Sequence, residues 1–126
     1  MSKELENKLK ELDIEDFIWV IYIGIIFMSW YSNSLERKYF TQKDELAKRK
    51  YREIMICIFI ILLIVYLYFL YSAYQDFKEL KPNDSDKKKR LVFLSLLGSL
   101  FIVISGIIFL YIAFNDDELN VELAFN

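Results

Sequence analysis

The chain has 126 residues, a formal net charge of −2, 56% hydrophobic and 27% charged residues, and a mean hydropathy of +0.25. No histidine, one cysteine and three glycines exclude intrachain disulfides, Cys/His zinc sites, Ser-His-Asp and Cys-His catalytic sets, and glycine-rich phosphate loops. The 16 Lys and Arg are scattered over three segments, so nothing suggests a nucleic-acid surface, and no cofactor is expected.

The charges are segregated. None occurs in Phe17–Leu35, Ile54–Gln75 or Leu91–Asn115, windows of 19, 22 and 25 residues. A helix crossing the hydrocarbon core needs roughly 20 apolar residues. A water-soluble domain of this size has no core able to cover three such helices on every face. The pattern therefore predicts an all-α integral membrane protein. It would have three transmembrane helices preceded by a short amphipathic N-terminal helix.

Residues 1–16 form the charged N-terminal segment. Leu5, Leu9 and Leu12 share one helical face within it. Such a helix would lie on the membrane surface or pack elsewhere on the protein. The first span, 17–35, is bracketed by Trp19 and Tyr22 toward one end and by Trp30 and Tyr31 at the other. Rings with one polar edge favour the headgroup level. A net-negative leader and an aromatic apolar stretch argue against a cleaved signal peptide.

Residues 36–53 read as a charged loop and helix extension, with seven basic and four acidic residues. Thr41 and Asp44 resemble a capping box with Asp in place of Glu. No Pro or Gly interrupts Gln42–Lys81, which predicts one helix of about 38 residues, roughly 57 Å long. Its opening turns carry Lys48, Arg49, Lys50 and Arg52. Its apolar part, 54–75, is the second span and ends in Tyr66, Tyr68, Tyr71 and Tyr74. Cys57 lies within it and is expected to be inert packing.

Residues 76–90 form a basic loop whose turn is centred on Pro82, with Asp84 or Ser85 available to cap the next helix. Lys87, Lys88, Lys89 and Arg90 follow. The two basic runs are candidates for anionic lipid headgroups or for an acidic partner. The third span, 91–115, contains Ser95, Gly98, Ser99, Ser105 and Gly106. Small residues along one side let helices approach closely in lipid. The third helix is therefore the expected centre of the bundle or a homomeric contact. The acidic tail, 116–126, alternates Leu119, Val121, Leu123 and Phe125 with polar or small residues, a weak strand pattern.

Three spans put the termini on opposite sides. Lys and Arg divide nine to seven between those sides, a bias that points to N-terminus inside and C-terminus outside. Lys far outnumbers Arg (12 to 4) and Ile far outnumbers Ala (17 to 4), as AT-rich codons would give, which points to a low-GC bacterium or its phage and so to a bacterial cytoplasmic membrane. No Asp, Glu, Lys, Arg or His lies within any window. Ion-coupled transport, proton relays and intramembrane proteolysis need such groups. The expectation is a non-enzymatic accessory or interaction subunit of a larger membrane complex, or a homo-oligomer. The alternatives are a phage holin or bacteriocin-immunity protein, and a homo-oligomeric channel or carrier.

Overall fold

The computed structural model describes residues 2–123. Helix α1 spans Lys3–Gln42, α2 Glu45–Lys78 and α3 Asp86–Asn115. No strand occurs among the described residues. Contacts within the chain divide it into two compact units. One holds α1 and the opening turns of α2, and the other runs from Met55 onward.

In the first unit, Ser2 caps α1. Its Oγ accepts the Leu5 N–H at 3.2 Å, and Glu4 and Glu6 place negative charge against the dipole's positive end. The helix then runs 40 residues, roughly 60 Å, without a break. There is accordingly no separate short helix at the N-terminus. The passage from Asp16 to Phe17 changes the side chains from charged to apolar, but no Pro or Gly lies there to change the backbone. The buried residues of α1, Ile18, Ile25, Ser32 and Leu35, recur at seven, seven and three, forming one seam. Ser32 is buried because its Oγ donates to the Ser29 carbonyl at 2.7 Å.

The charged stretch 36–53 is nearly all helix, with only Lys43 and Asp44 between α1 and α2. Lys43 ends α1 in the left-handed region, φ 56° and ψ 35°, and its N–H donates to the Tyr39 carbonyl at 2.8 Å. Asp44 starts α2, its Oδ1 accepting the N–H groups of Leu46 and Ala47 at 3.0 and 3.2 Å. The expected capping box is not formed. Thr41 is still inside α1, where its Oγ1 donates to the Arg37 carbonyl at 2.8 Å. Asp44 is the cap itself.

The second unit is an antiparallel helical hairpin. Phe77 meets Phe93 at 6.4 Å between ring centroids, and Phe59 stacks on Phe109 at 5.6 Å. Moving back along α2, the partner on α3 moves forward by nearly the same count. Between these pairs, Gly106 lies against Tyr66 and Leu63. The turn closes through Asp84, whose Oδ2 accepts the Lys81 N–H at 2.7 Å. Ser85 caps α3 by accepting the Lys88 N–H at 3.1 Å.

α2 and α3 are each long and apolar enough to cross a membrane. Their burial differs. The most apolar 18-residue stretch of α2 is 28% buried, against 11% for α3. The third helix, expected as the centre of the bundle or as a homomeric contact, is thus the less enclosed of the two within the chain. The bulky residues Met55, Ile58, Phe59 and Leu62 are fully buried on α2, whereas α3 buries only Val103, Gly106 and Ala113.

Candidate interaction surfaces

Small residues on α3 lie in two settings. Gly106 is buried, and a Cβ there would stand 3.2 Å from Tyr66 Cδ2 and 3.5 Å from Leu63 Cδ1. Ser99, seven residues earlier, is half-buried on the same side. Ser95, Gly98 and Ser105 are exposed, and a Cβ on Gly98 would meet nothing within 4 Å. The close approach inside the chain thus uses Gly106, with Ser99 half-buried on the same side, while Ser95, Gly98 and Ser105 are exposed.

The basic runs occupy the first turns of α2 and α3. Lys48 is half-buried, bonded to Glu45 at 3.2 Å with its ammonium 5.1 Å over the Tyr39 ring. Arg49 and Lys50 are exposed, and Arg52 is half-buried. Lys88 pairs with Asp84 at 3.4 Å, and Lys89 Nζ donates to the Pro82 carbonyl at 2.9 Å. Lys87 and Arg90 are exposed. Hydrogen bonds stabilise the Asp44 cap and the turn carboxylate of Asp84 as anions. The backbone N–H of Ala47 is the main cause at Asp44, and that of Lys81 at Asp84, so both pKa values fall below the ordinary 3.8.

Large apolar side chains are exposed along every helix. On α1 they include Phe17, Trp19, Ile26 and Trp30; on α2, Ile64 and Tyr71; on α3, Phe101, Ile107 and Tyr111. Monomers in water rarely expose contiguous apolar surface beyond a few hundred Å². Phe27, Trp30, Tyr31 and Ser34 line an open recess on α1. Cys57, expected to be packed, is exposed on α2.

The tail after α3 forms a turn rather than the strand its alternation suggests. Asp116 ends α3 and gathers the following residues. Its Oδ1 accepts from the Asn120 backbone at 2.9 Å and from Asn120 Nδ2 at 3.2 Å, and its Oδ2 from Val121 N–H at 2.9 Å. Leu119 takes φ 55°, and Leu123 is buried. An alternating sequence cannot become a strand while one carboxylate holds it in a turn. Phe125, the last apolar position of that pattern, lies outside the described residues. Burial pushes the Asp116 pKa up, but the hydrogen bonds outweigh it and the net shift is downward.

The chain matches no family model, no curated protein and no solved structure.

Proposed function

We infer that this chain is a multi-pass membrane protein with all three helices across the bilayer. In this reading it acts as a non-catalytic interaction subunit of a larger membrane assembly. One observation carries the reading: the apolar stretch of α3 has a mean hydropathy of 2.7, yet only 11% of it is buried within the chain. Lipid or a partner helix must cover the rest. α1 supplies the third span through its uncharged Phe17–Leu35, about 28 Å of helix against a hydrocarbon core of about 30 Å. Its Trp and Tyr brackets would lie at the two headgroup levels. The Lys and Arg distribution, nine to seven, favours the N-terminus inside and the C-terminus outside a bacterial cytoplasmic membrane. Exposed basic residues would contact anionic lipid, at about 1 kcal/mol each near the surface.

Three measurements separate this role from the alternatives. A subunit should co-purify in mild detergent with a defined larger complex, in a fixed ratio. Purified protein in liposomes should then pass neither ions nor dye. Flux would assign a channel or carrier. Host lysis on timed expression would assign a holin.

A further inference from the structure

α1 carries a second seam besides the buried one. It begins at Leu5, Leu9 and Leu12 and continues through Asp16 and Trp19 to Ile23, Ile26 and Trp30, in alternating steps of four and three. All of its apolar members are exposed, from 42% at Leu12 to 72% at Trp30. Alternation of four and three is the seven-residue repeat of helices that wind around each other. Between Phe17 and Leu35 nearly every residue is apolar, so the repeat there says little. Its register is set outside that stretch, by the three leucines among charged residues.

Lipid does not account for those leucines. They precede Phe17 by five to twelve residues, about 7.5 to 18 Å along the axis of one unbroken helix. If the second half of α1 crosses a bilayer, the first half is carried out into water and cannot also lie flat. The charge pattern identifies what covers the seam. With Leu5 and Leu12 at d and Leu9 at a, Lys8 takes position g and Asp13 the following e. In a parallel pair these two positions face each other across the interface. Both residues are exposed. Five residues apart on one helix, they do not face each other within a chain, since neighbours on a helix surface lie three or four apart.

We propose that α1 pairs in parallel with α1 of a second copy along Leu5, Leu9, Leu12 and Trp19, with Lys8 of each copy opposite Asp13 of the other. The pairing itself stands on the seam. Its parallel sense rests on the membrane reading, which gives both copies one orientation. Asp16 occupies an a position at the water edge of the apolar stretch. Two facing carboxylates there lower the affinity and help to fix the register, as a polar a residue does.

The test is disulfide trapping of the full chain in membranes, in a Cys57→Ser background. Single cysteines would replace Leu9 and Leu12 on the seam, and Asn7 and Ile14 off it. Ile14 is itself exposed and apolar, so it controls for stickiness. Mild oxidation should give dimer at Leu9 and Leu12 with at least about five-fold the yield at Asn7 and Ile14. Equal yields at all four positions, or none at the seam, would overturn the proposal. With the Leu12 reporter, Lys8→Glu should lower the yield, and Lys8→Glu with Asp13→Lys should restore it; no rescue would overturn the parallel register. Asp16→Asn should raise the yield. Alkaline carbonate extraction of the same membranes keeps the two readings apart. Release of the protein would reject membrane insertion, while the cross-linking pattern would still decide the dimer.

Discussion

α2 and α3 are close in length and apolarity, with mean hydropathies of 2.9 and 2.7 over their most apolar stretches. They differ in what covers them. α2 buries Met55, Ile58, Phe59 and Leu62 almost completely, while α3 leaves Phe101, Ile102, Ile107 and Ile108 exposed. Hydropathy measures how strongly a helix avoids water. It does not say whether protein or something else keeps the water away. The chain itself covers more of α2 than of α3, 28% against 11% of the most apolar stretch. The proposed membrane role rests on that difference.

The contrast can be broken most directly at a large side chain. Phe59→Ala removes a buried ring stacked on Phe109 and should cost about 3–5 kcal/mol. Phe101→Ala, at an exposed α3 position, should stay within about 0.5 kcal/mol. Reversible unfolding in detergent micelles measures both. Similar losses would mean that α3 is as enclosed as α2.

Next in size is a comparison within α3. Gly106→Leu must displace the Tyr66 ring and should cost about 1–3 kcal/mol. Gly98→Leu enters open space and gains helix propensity, so it should be neutral or stabilising by up to about 0.8 kcal/mol. If the two cost the same in micelles, Gly106 is not a close-packing position. If Gly98→Leu is costly in membranes but not in micelles, a partner helix covers that face.

These positions also mark how far the sequence could be read. The all-helical content and the α2–α3 turn were legible, because Pro82 and the Asp84-Ser85 pair are local signals whose chemistry needs no distant partner. Asp44 as a cap is half legible: the spacing singles out the right residue, but as the far end of a box that begins at Thr41. A free choice between two hydrogen bonds decided that, and Thr41 took the carbonyl of Arg37. The unbroken α1 is not legible, because a change from charged to apolar side chains looks like a boundary although the backbone has no reason to stop there. The stripe on α3 was visible as composition. Which small residues meet a neighbour was not, since that depends on where Tyr66 and Leu63 of α2 arrive.

The smaller effects lie at the caps. Ser85→Ala should cost about 0.5–2 kcal/mol by orphaning the Lys88 N–H, a loss readable as a lower melting temperature. Asp44 and Asp84 have folded pKa values below 3.8, so they bind protons less readily when folded. Their contribution is fully present above 3.8 and is lost as pH falls through the depressed folded values. The unfolding midpoint should therefore be insensitive to these two groups near neutral pH and drop only in strong acid. Asp44→Asn should shrink that acid drop. An unchanged drop would assign it to other carboxylates.

The central claim is that three helices cross a bilayer, and cysteine accessibility tests it most directly. Single cysteines at Ser2, Lys43, Asp84 and Asn120, in a Cys57→Ala background, report the two ends and both turns. An impermeant thiol reagent on intact cells should label Ser2 and Asp84 together, or Lys43 and Asn120 together. The charge bias predicts the second pair. Labelling of Ser2 with Asn120 and not Lys43 would require an even number of crossings and contradict the account.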